Sequence, residues 1–164
     1  MEKNDINYYN ENKKIKLNFR VSAIIKHKDN YLFQKNDDSS FWSLVGGRVS
    51  IGEDTLTALQ REIFEETGVK FSISDFKLLR VIENFFTLDN IKYHEILFIY
   101  VINANKELIN KNDFKTLDKD TQMNHWFNIN DLEYVTVEPV ILKDLLDREL
   151  FEHLILKDDE IQNY

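Results

Sequence analysis

The stretch Gly47–Val69, GRVSIGEDTLTALQREIFEETGV, decides how the rest of the chain is read. From Thr55 to Thr67, Leu56, Leu59 and Ile63 fall on one side at about 100° per residue, the period of an amphipathic helix. Asp54 stands where an N-cap belongs and Gly68 where a helix-ending glycine belongs. A second side is acidic: Glu62, Glu65 and Glu66 are spaced i, i+3 and i+4, so their carboxylates leave one face within about a turn. Like charges at that spacing cost a few tenths of a kcal/mol per pair when solvated. The trio is therefore either an ordinary solvated face or the wall of a site for a hard divalent cation, which prefers carboxylate oxygens, water and substrate phosphates. Gly46, Gly47 and Gly52 are three of only four glycines in the chain, and such clustering ahead of a helix marks a specialised loop.

Working outward, Asn18–Lys26 is rich in β-branched and apolar residues and reads as a strand, with a turn at 27–30 and a second strand at Tyr31–Gln34. Phe41–Val45 is a short apolar segment running into the glycines. Beyond the helix, Phe76–Phe86 and Ile91–Asn103 read as two long strands joined at Leu88-Asp89-Asn90. The apolar run Ile96–Ile102 suits a buried strand. Ala104–Thr121 is polar and reads as a loop containing at most a short helical turn, and Met123–Asn128 reads as a further strand. Pro139 predicts the start of a final helix whose apolar side is Val140, Leu142, Leu145, Leu146 and Leu150. Strands, helix, strands, helix make an α/β or α+β class in a single domain. The expected organisation is a polar N-terminal segment over 1–16, a domain over 17–156 and a polar tail over 157–164.

The chain has 164 residues, 43% of them hydrophobic and 13% aromatic, enough for a sizeable core. With no cysteine, disulfide frameworks, thiolate-ligated metal and thiol nucleophiles are excluded. The net charge of -8 disfavours a phosphate-backbone footprint on duplex nucleic acid. That charge is uneven: residues 1–40 carry +2 and residues 41–164 carry -10. No signal peptide and no membrane-length apolar segment is read, so a cytoplasmic protein with no membrane partner is expected.

From Gly47 the chain follows G-x5-E-x7-R-E-U-x-E-E-x-G-U, with U aliphatic, at every specified position: Gly47, Glu53, Arg61, Glu62, Ile63, Glu65, Glu66, Gly68 and Val69. That pattern is the Nudix box, and the chain resembles the Nudix hydrolase family. The resemblance implies a Nudix-type α/β/α sandwich with a mixed central sheet, in which the box forms loop–helix–loop. It implies a Mg²⁺-dependent hydrolase, with Mn²⁺ as a substitute ion, cleaving a phosphoanhydride bond in a nucleoside diphosphate linked to a group X. Nucleoside triphosphates and nucleotide sugars are the substrate types considered. Carried over residue by residue, Glu65 and Glu66 would ligate the metal, and Glu62 would ligate it or help deprotonate water. Arg61 would orient a neighbouring glutamate, Glu53 would support the site, and Gly46 would offer its carbonyl oxygen to the metal. One departure is Val45, where family members often carry proline; that position looks conformational.

Outside the box, candidates for substrate contact are Arg48, Glu95, Asp120 and Phe86. Asp118 and Glu107 are further acids, and His94 a further base. For each acid the alternative is a solvated surface carboxylate. Arg48 and Arg20 could each meet a phosphate with a planar guanidinium fork or simply form a surface ion pair. Phe85, Phe86, Tyr93 and Trp42 offer either a stacking platform or plain core. Subclass markers are missing: the only proline is Pro139, far from the position that marks ADP-ribose-type members. The absence of cysteine also disfavours the isomerase branch of the fold. The alternative to an enzyme is a non-catalytic Nudix-fold domain that senses a ligand or binds a partner, against which stands the survival of all four box glutamates. The expected partner is a small nucleotide, with a homodimer left open as the assembly.

Overall fold

A computed structural model describes residues 4–117 and 120–158. The backbone of the fold is one mixed sheet. Strand β1 is Asn7–Asn10, β2 Ile15–His27, β3 Asn30–Asn36, β4 Ser43–Arg48, β5 Lys77–Leu88, β6 Ile91–Asn103, β7 Phe114–Lys115, β8 Gln122–Asn128 and β9 Glu152–Lys157. Their order is β7-β8-β3-β4-β2-β6-β5-β9, with β1 on the N-terminal half of β2. β2 runs parallel to β6 from Ile15 opposite Lys92 to Lys26 opposite Asn103, and β9 runs parallel to β5; the other pairings are antiparallel. The single domain with a mixed sheet flanked by helices is the α/β class expected from the sequence.

Helix α1 covers Thr55–Thr67, as its periodicity predicts. The Asp54 side chain accepts from the Leu56 and Thr57 amides, and Gly68 ends the helix at φ 75°, where a side chain would be strained. α1 lays Ala58, Leu59 and Ile63 on Val21, Ala23 and Ile25 of β2, forming the core on one sheet face. Ile24 alternates to the other face, where it joins Leu97, Ile99, Leu142 and Leu146. The β5–β6 hairpin closes at Asp89-Asn90, both at positive φ as a two-residue turn requires. In the polar 104–121 region a one-turn helix α2, Lys106–Ile109, precedes β7.

The final helix differs from expectation. Helix α3 is one turn, Leu142–Leu145, and the bonds Leu142 N to Pro139 O and Lys143 N to Val140 O are of the tighter i→i+3 kind. Leu142, Leu145 and Leu146 are buried, but Val140 and Leu150 are exposed. The chain instead turns into β9, whose alternation of half-buried Leu154 and Leu156 with exposed His153 and Ile155 completes the edge of β5. β9 covers the edge of β5, which unpaired would leave a row of unmet backbone groups. The sequence does not announce β1, β7 or β9 as strands and shows β4 only as a short apolar segment. Among the described residues no helix is long and apolar enough to cross a membrane.

Candidate active site

Polar residues at alternate positions of β2, namely Lys16, Asn18, Arg20 and Ser22, face one cavity of about 1290 Å³. β6 adds Tyr93 and Glu95 in register beside Lys16 and Asn18, and β5 adds Asn84 and Phe86 beside those. The wall nearest α1 is made by Glu62 and Glu66 with Gly46 and Gly47 of β4. Gly47 is required by close approach: a Cβ there would lie 2.3 Å from the Glu62 carboxyl carbon.

Arg61 organises the box. Its Nε and Nη2 donate to the two oxygens of Glu53 at 2.8 and 2.9 Å, a paired fork. Its Nη1 donates to Glu62 Oε1 at 2.6 Å and reaches Glu65 Oε2 at 3.4 Å, while Nη2 also donates to the Arg48 carbonyl at 3.1 Å. The Ser50 amide completes Glu53. The Arg61 hydrogen bonds hold Glu53 below the ordinary carboxylate range, against the opposing effect of burial. Glu53 in turn pushes Arg61 upward, so the guanidinium is charged at every working pH.

Glu66 is 3% exposed. Its carboxylate accepts from the Gly46 amide at 2.9 Å and from Gln34 Nε2 at 3.2 Å. Gln34 also donates to the Leu44 carbonyl, which orients its amide. Asn124, opposite Gln34 across β3–β8, donates to the backbone carbonyl of Glu66, and Lys111 donates to that of Thr67. Both carbonyls belong to the last turn of α1, which has no helical donors for them.

Of the candidates from outside the box, Glu95, Arg48 and Phe86 line the cavity. Glu95 is buried, with Arg20 Nη1 at 3.7 Å from its Oε2. Phe86 stacks on Tyr93 at 4.7 Å and 5°, with the Lys16 ammonium over the Tyr93 ring. Asp120 and Glu107 are exposed and are not among the residues lining the cavity; Asp118 lies outside the described residues. His94 is turned away, stacked on Phe85 and 4.0 Å from Glu83. Lys16, Asn18, Ser22 and Gln34 were missed. The signal for three of them was the polar–apolar alternation of the Lys16–Ala23 stretch, which shows a half-solvated strand beginning before Asn18.

The box oxygens are hard donors, suited by chemistry to Mg²⁺ or Mn²⁺. Glu62 and Glu66 face the cavity beside Gly46, in a cradle that a larger residue at Gly47 would fill. Among the described residues, no three acidic or histidine side chains stand as a closed ligand cage in this conformation, in which Arg61 engages Glu62 and Glu65.

The chain belongs to the Nudix family: the family model described as NUDIX domain matches residues 16–153. An RNA pyrophosphohydrolase of Pelagibacter ubique (strain HTCC1062) is 40% identical over 53 residues, 30% of this chain and 34% of that protein. The match thus spans about a third of the length of that curated relative. Among solved structures, a mutator MutT protein from Bacillus halodurans superposes at TM-score 0.66 with 16% identity, covering 87% of this chain and 92% of its own. A MutT NUDIX hydrolase from Burkholderia pseudomallei does so at 0.62 with 19% identity, covering 80% and 98%. At these identities the likeness is one of fold.

Proposed function

We propose that the chain is a Nudix-type pyrophosphohydrolase that cleaves a phosphoanhydride bond in a nucleoside diphosphate linked to X, with Mg²⁺ or Mn²⁺ as cofactor. The observation that carries this reading is the pair of buried carboxylates, Glu62 and Glu66, facing the cavity beside Gly46 and Gly47. A buried, unmetallated carboxylate wall repels a diphosphate; a divalent cation bound there reverses the local sign and lowers the pKa of bound water.

In this reading Glu66, Glu65 and the Gly46 carbonyl hold the ion. Glu62 completes the set or accepts the proton of the attacking water. Glu66 is aimed by the Gly46 amide and Gln34, and Glu62 by Arg61. Glu53 acts through Arg61, fixing its guanidinium plane with a two-point fork. Phe86 and Tyr93 supply an apolar wall for a base, and Glu95 an acceptor.

The test is a phosphate- and pyrophosphate-release screen over nucleoside triphosphates, nucleotide sugars, ADP-ribose and dinucleoside polyphosphates, with and without Mg²⁺. Wild type hydrolyses at least one class only when metal is present. Glu66→Gln loses activity by about 10³-fold or more, on the scale of losing a preorganised charge at the reacting centre, while keeping its unfolding midpoint. An active Glu66→Gln protein sinks the metal assignment. Inactivity over the whole panel with metal binding intact favours the ligand-sensing alternative.

A further inference from the structure

Two neighbouring carboxamides grip Glu66, one by its side chain and one by its backbone. Gln34 of β3 and Asn124 of β8 are direct partners across the antiparallel pair. Gln34 Nε2 donates to Glu66 Oε1 at 3.2 Å and to the Leu44 carbonyl at 3.3 Å. Asn124 Nδ2 donates to the Glu66 backbone carbonyl at 3.3 Å. With the Gly46 amide on Oε2 at 2.9 Å, donors from three strands fix one residue. Both partners of the Gln34 nitrogen are acceptors, so its amide has a single workable orientation.

This grip is kept at a cost in stability. Gln34 is 3% exposed and Asn124 is fully buried, and Gln34 Oε1 and Asn124 Oδ1 have no hydrogen-bond partner. A buried oxygen left unmet is destabilising, and an apolar pair of the same shape would avoid that penalty. The two nitrogens are therefore retained for what they hold. Arg61 brings its full charge to Glu62 and Glu65, whereas these three donors to Glu66 are neutral. A neutral donor orients a carboxylate without cancelling the charge that a cation needs.

We propose that Gln34, braced by Asn124, is a positioning residue that sets ion selectivity at the box, favouring Mg²⁺ or Mn²⁺ over Ca²⁺. Small octahedral ions reward carboxylates held in one direction. Ca²⁺ takes more oxygens, often both of one carboxylate, and needs ligands free to swing. Glu66, held at both oxygens, lacks that freedom. The inference rests on the reading of Glu66 as a metal ligand given above, and it concerns binding of the ion rather than cleavage.

The experiment titrates Mn²⁺ into the nucleotide-free protein, reads free ion by electron paramagnetic resonance, and then displaces it with Ca²⁺. Wild type is expected to hold Mn²⁺ at least about tenfold more tightly than Ca²⁺. Gln34→Met keeps an unbranched side chain of similar length and loses the donor. It is expected to weaken Mn²⁺ about tenfold or more, the usual effect of removing the hydrogen-bond partner of a metal ligand. Ca²⁺ affinity falls by less, so the ratio of the two narrows. Gln34→Asn, which keeps the amide but shortens its reach, narrows it in the same direction and serves if the methionine variant does not fold. Unfolding midpoints without metal check both variants.

A purely structural defect lowers both affinities alike, so an equal loss for the two ions, or no loss for either, overturns the Gln34 assignment. A wild type without preference between the ions overturns it as well. Glu66→Gln separates the two readings. Mn²⁺ binding abolished in Glu66→Gln, with the ratio unmoved in the Gln34 variants, removes the selectivity role and leaves the metal reading standing. Mn²⁺ binding untouched in Glu66→Gln removes both.

Discussion

At the scale of single residues, the box works because its charges are held in a fixed pairing. Arg61 bridges Glu53, Glu62 and Glu65, and its own charge cannot be titrated away. Glu53 is the member whose ionisation is coupled to folding. Its pKa is lowered in the folded state from 4.5, first by the Arg61 hydrogen bonds. A depressed carboxylate contributes stability that is fully present above its unfolded value and is lost as pH falls through the folded one. Glu53→Gln is therefore expected to be less stable than wild type at neutral pH, with the gap in urea midpoint narrowing as pH drops below 4.5. A gap that stays constant down to the acid transition would show that Arg61 does not act through the Glu53 charge. This coupling was only half legible in sequence: the spacing of Glu53, Arg61 and Glu62 was plain, but the eight-residue reach from Arg61 to Glu53 needs the loop to fold back on the helix.

At the scale of elements, α1 is the best specified piece of the chain, and its two ends show why. Asp54 caps one end, and Gly68, at φ 75° with its amide donating to Phe64 O, caps the other. Gly68→Ala forces a side chain into the left-handed region and is expected to cost about 1–2 kcal/mol, read as a lowered urea midpoint with an unchanged slope. An unaltered midpoint would mean that the helix end relaxes freely. β9 teaches the opposite lesson. The segment from Glu152, beyond the leucines that follow Pro139, is extended because β5 offers it an edge. Arg80, fully buried, reinforces that choice by bonding the Arg148 carbonyl and Glu152. Nothing local to residues 140–157 announces a partner seventy residues upstream.

At the scale of the whole molecule, the sheet brings three remote segments to one wall. β2 supplies the cation and amide row, β3 supplies Gln34 and α1 supplies the glutamates, while Asn124 of β8 bonds the Glu66 backbone without lining the cavity. A ligand held by that wall ties the elements together, so binding should appear as global stabilisation. Mg²⁺ or Mn²⁺ at about a hundred times its Kd is expected to add roughly 2.7 kcal/mol to wild type. The shift in unfolding midpoint should be absent in Glu66→Gln. An equal shift in both proteins would place the ion elsewhere.

The linear chain by itself determined the helix with its caps, the glycine-rich approach to it, and the order of the box acids, because all of these are set by contacts within a few residues. The mixed α/β class was also legible, since alternation and helical period are local properties. Only the tertiary structure decided which face of β2 becomes the cavity floor and that Asp120 stays outside the wall while Glu95 joins it. It alone placed Arg20 opposite Arg48, and β9 beside β5. Those outcomes depend on strand register and sheet order, and register is fixed by burial of one face against the whole core rather than by any neighbour in sequence.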